Sequence, residues 1–386
     1  MAAGGGVISA AAPAASPSPA ATATTGPGRW IWGRNIDVGV FVGSTVVALG
    51  LAALAPWLAP DGDTPMWAWL VFVLGLDVAH VWTTLFRTYL DPEERARRPL
   101  LYFGVPVVAY AAGVALYAQG ALVFWRVLAY AAAFHFVRQQ LGWVAIYRAR
   151  AGERSVWDRR IDNALVYLAT GWPLLYWHTH GRAFSWFVDG DFIDLSAARA
   201  WVIPVGGLYA MMVVLYVGRA WRHVRAGRPH NVGKHLAVGS TAAIWGLGIV
   251  AFDDDFAFTV TNVTAHAVPY FVLLWFYTKE RGAERPRSRI ASVARAGAGC
   301  FVLIVLGLAF AEEQLWERLV WHDRPGWFGG ASRDTPLLGA LALTLVVPLL
   351  ALPQVVHYVL DGVLWRGREG GPAQARALGF APRRTR

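Results

Sequence analysis

The chain has 386 residues, 56% of them apolar and only 16% charged, with a formal net charge of +10 and a mean hydropathy of +0.39. Soluble domains carry about a quarter charged residues, so this balance, with repeated apolar runs of membrane length, excludes a soluble globular enzyme and a disordered protein. A single cysteine, Cys300, excludes a disulfide scaffold and a cysteine-based zinc site.

In chain order, residues 1–28 are mostly Ala, Gly, Pro, Ser and Thr. They cannot bury enough apolar surface to offset their ordering entropy, and they read as a disordered tail. They have neither the basic start nor the apolar stretch of a signal peptide. From Ile36 onward ten spans are expected, over residues 36–58, 66–89, 99–118, 120–147, 162–179, 200–218, 236–252, 256–278, 292–311 and 336–364. Each approaches the ~20 residues that cross a bilayer core. The predicted fold is therefore all-α, a polytopic integral membrane helix bundle of about ten transmembrane helices. One helical domain covers 29–366, followed by a basic tail, 367–386.

The connecting segments alternate in charge. Arg87 to Arg98, Arg148 to Arg160, Arg219 to Lys234, Lys279 to Arg289 and the tail from Arg366 are basic. Between them lie Asp61 and Asp63; Asp189, Asp191 and Asp194; Asp253 to Asp255; and Glu312, Glu313 and Glu317. Basic loops stay in the cytoplasm, so the alternation predicts an even number of spans in the cell inner membrane, with both termini cytoplasmic. The +10 is then a topology signal, with no nucleic acid partner implied. Trp30, Trp32, Trp57, Trp67, Trp177 and Trp365 lie near expected span ends, where interfacial belts form.

Ionisable groups inside spans are costly and face the bundle interior. Here they recur as a histidine with polar mates three or four residues away, which places each set on one helix face. The sets are Asp77/His80, His135 with Arg138 and Gln139, Asn262/His266, and His357 with Gln354 and Asp361. His80 lies seven residues from Arg87, His135 thirteen from Arg148, His266 thirteen from Lys279, and His357 nine from Arg366. At 1.5 Å per residue all four sit about 10–20 Å from the inner boundary, in one layer.

Four histidines at one depth on four helices suit a metal or haem site, because neutral imidazole ligates most transition metals. His80, His135, His266 and His357 are the expected ligands. Asp77 and Asp361 are expected as further ligands or as groups that orient the rings, and Gln139, Asn262 and Gln354 as orienting groups. Arg138 is expected to balance a carboxylate or bind substrate. The aromatic and basic inner edge of the same helices suggests a mouth for a lipid-like molecule with an anionic head. In having isolated histidines on several spans, the chain is similar in general plan to the bacterial carotenoid-cleaving membrane dioxygenases, although none of their motifs transfers residue by residue. The histidine boxes of membrane desaturases, HExxH, GxSxG, nucleotide-binding glycine loops and CxxCH are all absent.

These features favour an iron-dependent membrane oxidoreductase, an oxygenase, hydroxylase or desaturase, holding one or two iron ions. Its partners would be the lipid bilayer, a lipophilic substrate and an electron donor protein. The alternatives are a b-type haem electron carrier, a proton-coupled transporter and a structural subunit of a membrane complex. His178 and His180 could form a separate outer site with Glu312, Glu313, His322 and Asp323. His223, His230 and His235 read as solvated.

Overall fold

A computed structural model describes residues 30–228, 230–329, 338–365 and 370–382. The expected tail, 1–28, lies outside them. Every regular element among the described residues is helical. Eight helices are long and apolar enough to cross a membrane, so the all-α membrane bundle stands. They are α1 (Arg34–Ala53), α2 (Met66–Phe86), α3 (Leu100–Tyr117), α4 (Ala121–Arg150), α6 (Ser196–Arg225), α8 (Asp255–Glu284), α9 (Ala298–Trp321) and α10 (Ala340–Leu364). The other two expected spans are also helical but fall outside the eight: α5 (Val156–His180) and α7 (Val232–Gly246, continued by Leu247–Ala251).

Local chemistry sets the boundaries. Ser155, Asn231 and Asp254 stand at the starts of α5, α7 and α8, and each side chain accepts a backbone N–H of the first turn. This satisfies donors that a helix start leaves without partners. The Asp254 carboxylate takes the Ala257 N–H at 2.6 Å. The expected span 292–311 is displaced. Gly297, at φ 99°, breaks the chain between a short helix, Arg289–Ala296, and α9, because that backbone angle suits only glycine well. As a result α9 runs on to Trp321. Glu312, Glu313 and Glu317, expected in a loop, lie on this helix and are buried.

The outward faces of α3, α6 and α9 are apolar. Val107, Val108, Ile203, Val214 and Leu303 are exposed, as expected of helices that face hydrocarbon. α8 runs through the centre and packs against α1, α2, α7 and the Arg289–Ala296 helix. The tryptophan belt is only partly present. Trp57 and Trp67 are exposed, but Trp32 and Trp177 are in the core. They are held there by ring contacts with Trp143 and Phe276 for Trp32, and with Phe184 and Phe258 for Trp177.

Several residues of the basic segments are paired inside the protein. Arg87, Arg219 and Lys234 are buried among acids. Arg87 meets Glu94 at 3.1 Å, Lys234 meets Asp162 at 3.2 Å, and Arg219 also pairs with Asp162. His235, expected to be solvated, contacts the Tyr216 hydroxyl. Part of the expected basic tail is docked. Residues Pro372–Ala377 form a short helix against α8, with Arg376 2.7 Å from Glu280 and Trp32 donating to the Ala377 carbonyl at 3.0 Å.

Candidate metal centre

Four long helices deliver one histidine each. On α2 the backbone over Trp69–Val78 is wound in the wider π form and returns to α-helix at Ala79, one residue before His80. Such stretches reorient side chains and recur at functional sites. α4 carries His135 in an uninterrupted helix. α8 carries His266 three residues before Pro269, whose missing N–H opens the helix at that turn. α10 is divided at Ala351 between Pro348 and Pro353, and His357 lies on its second half.

The four side chains meet in the bundle interior. His80 and His357 are 1% exposed, His266 is fully buried and His135 is 5% exposed. Each offers a ring nitrogen within 4.8 Å of those of the other three. The rings form a closed square. Centroids are 4.7 Å apart for His80–His266, 5.0 Å for His266–His135, 4.7 Å for His135–His357 and 4.9 Å for His357–His80. Adjacent planes meet at 69–86°.

Outer partners fix two of the rings. His80 Nδ1 lies 3.3 Å from the Leu76 carbonyl and 3.7 Å from Asp77. His357 Nδ1 meets the Thr84 hydroxyl at 2.8 Å, and Thr84 lies 3.2 Å from the Tyr270 hydroxyl. In both rings the Nδ1 atom is engaged away from the square, which leaves Nε2 for it. Tying the far nitrogen in this way selects the tautomer that ligates. The other two rings are held by stacking: Phe136 on His266, with centroids 3.6 Å apart, and Tyr358 on His135 at 4.8 Å.

Two of the rings keep a free nitrogen: His135 Nε2 and His357 Nε2 are buried without a hydrogen bond. Each unsatisfied buried polar atom costs about 1–3 kcal/mol, so the pair marks a place suited to a ligand. His266 turns its Nε2 to His80 instead, and its buried Nδ1 is left without a partner on the other side of the ring. The Nε2 atoms of His80 and His266 are 3.1 Å apart. Two nitrogens on one ion at 2.0–2.1 Å would be separated by about 3 Å. The donor set therefore fits a metal ion.

The other expected site residues are placed differently. Asp77 is one-third exposed and stands behind His80, outside the square. Asp361 accepts from Trp365 Nε1 and lies beside Tyr270, which makes it a support for that tyrosine rather than a member of the ring. Arg138 requires a correction: it is exposed and donates to the Tyr167 hydroxyl at 3.1 Å, so it neither faces the histidines nor balances Asp77 or Asp361. Gln139 is buried with its amide unpartnered. Asn262 bonds back to the Phe258 carbonyl, and Gln354 is half-buried one turn before His357.

Thr84, Tyr270, Phe136 and Tyr358 were not singled out as ring-holding groups. Thr84 is four residues after His80 and Tyr270 four after His266, so their spacing carried a signal. Phe136 and Tyr358 directly follow a histidine, and their spacing carried none. The outer group does not assemble as a metal site. His178 contacts the Tyr130 hydroxyl at 2.7 Å and His180 stacks on Tyr176. Among the described residues the four-histidine square is the one metal-competent group.

No protein-family model matches the chain, and no curated protein or solved structure shows detectable similarity to it. What can be said of the molecule from its own residues is that it is an all-α bundle with membrane-spanning character, enclosing four buried histidines that can hold a metal ion.

Proposed function

We propose that this protein is a membrane-embedded, histidine-ligated metalloenzyme, an iron-dependent oxidoreductase of the oxygenase, hydroxylase or desaturase kind, acting on a lipophilic substrate. The observation that carries this reading is the closed square of four buried imidazoles, each with a ring nitrogen within 4.8 Å of those of the other three. Imidazole suits iron, copper, nickel and zinc alike. Iron is favoured because a site walled by apolar helices suits oxidation of a hydrocarbon better than hydrolysis, which needs water. Bound iron would supply the redox and dioxygen chemistry that no side chain here can supply.

The chain's own part is positioning. Leu76 and Thr84 set the tautomers of His80 and His357, Phe136 and Tyr358 fix the planes of His266 and His135, and the bundle keeps water out. The rings stand edge against face around the square, where a porphyrin would need a flat slot between two axial ligands. This favours a non-haem ion over a b-type haem. An electron donor protein and placement in the inner membrane with both termini cytoplasmic complete the proposal. The 3.1 Å contact between His80 and His266 supports a second reading, a shared proton in a transporter's relay.

Elemental analysis and the absorption spectrum of one purified preparation separate these readings. Stoichiometric iron without a Soret band is expected. His80→Ala, His135→Ala, His266→Ala and His357→Ala should each lower bound metal in folded protein, while His178→Ala leaves it unchanged. A wild-type protein that takes up no metal on reconstitution would defeat the enzyme reading and favour the relay.

A further inference from the structure

A cavity of about 350 Å³ lies between α2, α3 and α10. Its floor is formed by His357 and Thr84, which are hydrogen-bonded to each other. Its walls include Val81, Leu85, Pro106 and Val356, and Leu349 is the one lining residue that is exposed. Leu349 is half-exposed, and the adjacent Val107 and Val108 on α3 are exposed apolar residues. The cavity therefore opens sideways, on a face suited to lipid, and leads to one edge of the histidine square. A larger hollow of about 540 Å³, lined by Trp30, Arg34 and Val232, includes none of the four histidines.

The polar groups of the lining are already engaged within the protein. Thr84 is bonded to His357, and Thr88 to the Thr84 carbonyl. The Tyr89 hydroxyl donates to the Tyr102 carbonyl at 2.8 Å, and Trp82 Nε1 to Glu312 at 2.7 Å. The unpartnered polar atom of the lining is His357 Nε2, on the imidazole shared with the square. Arg87, at the basic inner edge of α2, is buried and paired with Glu94 and Gln374. A charged or strongly polar group brought into this cavity would lose its hydration without replacement. An apolar chain, already out of water in the bilayer, loses no hydration on entering.

From this geometry we infer that the substrate enters laterally from the bilayer, between α3 and α10, and presents an uncharged hydrocarbon segment to the His357 edge of the site. The cavity is at the small end of the range for ligand sites, so it takes one segment of a longer molecule while the rest stays in lipid. Specificity would come from the width and apolarity of the passage, with no headgroup contact. The inference rests on the metal-centre reading for its chemistry but not for its binding.

The test uses the full-length protein in phosphatidylcholine nanodiscs and two photoreactive probes, a diazirine-bearing linear alkane and the same chain with a carboxylate on the carbon beside the diazirine, so that the labelling segment itself is charged. Crosslinked peptides are located by mass spectrometry, and metal content is measured on the same sample. The alkane should label the floor and walls, at Val81–Thr88 and Val356–His357, and the carboxylate probe should not. Leu349→Trp, at the half-exposed mouth, should cut that labelling by about tenfold with metal content unchanged, as expected when an indole fills the entrance. Val81→Trp, at a buried lining residue on α2, gives an independent second variant.

Equal labelling by both probes would overturn the uncharged-segment inference. Labelling confined to outward residues such as Val107 and Val108, or labelling indifferent to both tryptophans, would overturn the passage. Labelled cavity residues in a protein that binds no metal would defeat the metal centre and leave the passage standing. Bound metal with an unlabelled cavity would do the reverse.

Discussion

At the scale of single residues, the centre depends on side chains that never touch the ion position. Thr84 is the clearest case, since its hydroxyl holds His357 Nδ1 at 2.8 Å. Thr84→Val keeps the shape and removes that bond. Loss of such an outer partner weakens metal binding by about 10–100-fold, so a competition titration against a chelator should show that loss while the thermal midpoint moves little. A titration indistinguishable from wild type would remove Thr84 from the site. Glu94, between α2 and α3, makes a separate point. Burial pushes its carboxyl up, but the Arg87 charge and hydrogen bonds from Arg97, Tyr102 and Arg87 outweigh this and hold it below the usual carboxylate range. A depressed folded-state value means that this stabilisation is present above the ordinary carboxylate range and is lost as pH falls through the depressed one. Glu94→Gln should destabilise the protein by about 3–5 kcal/mol at neutral pH, because Arg87 is left buried and uncompensated. The gap from wild type should narrow under acid. Melting curves across the acid range check both the size and the sign.

At the scale of helices, the close approach of α7 and α8 fixes where His266 sits. A Cβ at Gly248 would stand 2.2 Å from Thr261 Oγ1 and 3.0 Å from Thr261 Cβ, five residues before the histidine. Gly248→Ala should therefore destabilise by about 1–3 kcal/mol through overpacking and lower metal occupancy together with the melting temperature. Full occupancy at wild-type stability would show that α8 is free to shift there. The same scale explains which parts of the site were legible in the sequence. Helical periodicity placed His80, His135, His266 and His357 correctly, because equal depth and a polar face survive in any bundle that buries them. It misplaced Arg138. A spacing of three residues turns a side chain by about 60° from its mate, and at the edge of the face that is enough to send Arg138 outward to Tyr167. Gly297 redirected the ninth expected span for a similar local reason. Phe136 and Tyr358 reach the rings only through the way α4, α8 and α10 cross, which no single-helix pattern encodes.

At the scale of the whole molecule, alternating charge gives a testable orientation. In a Cys300→Ser background, Asp61→Cys and Asp189→Cys should react with an impermeant maleimide on intact cells. Arg154→Cys and Ala226→Cys should react only after lysis, and the reversed pattern would invert the proposed topology. All four of these positions are exposed. The buried pairs around Arg87, Arg219 and Lys234 cancel within the net charge, so the excess of +10 is carried by other Lys and Arg side chains.

The order of the four histidines along the chain carries a consequence for biosynthesis. Three of them, His80, His135 and His266, are in place once α8 has left the ribosome, but His357 is on α10, and Arg376, which anchors the following segment to Glu280, emerges later still. Until then the partly inserted chain exposes three imidazoles with no fourth wall. If the square holds a metal, its four-histidine set is complete only after α10 has been threaded into the membrane, so loading at full affinity would be a late step, and a nascent chain stalled before α10 would be a ready substrate for the quality-control proteases of the membrane.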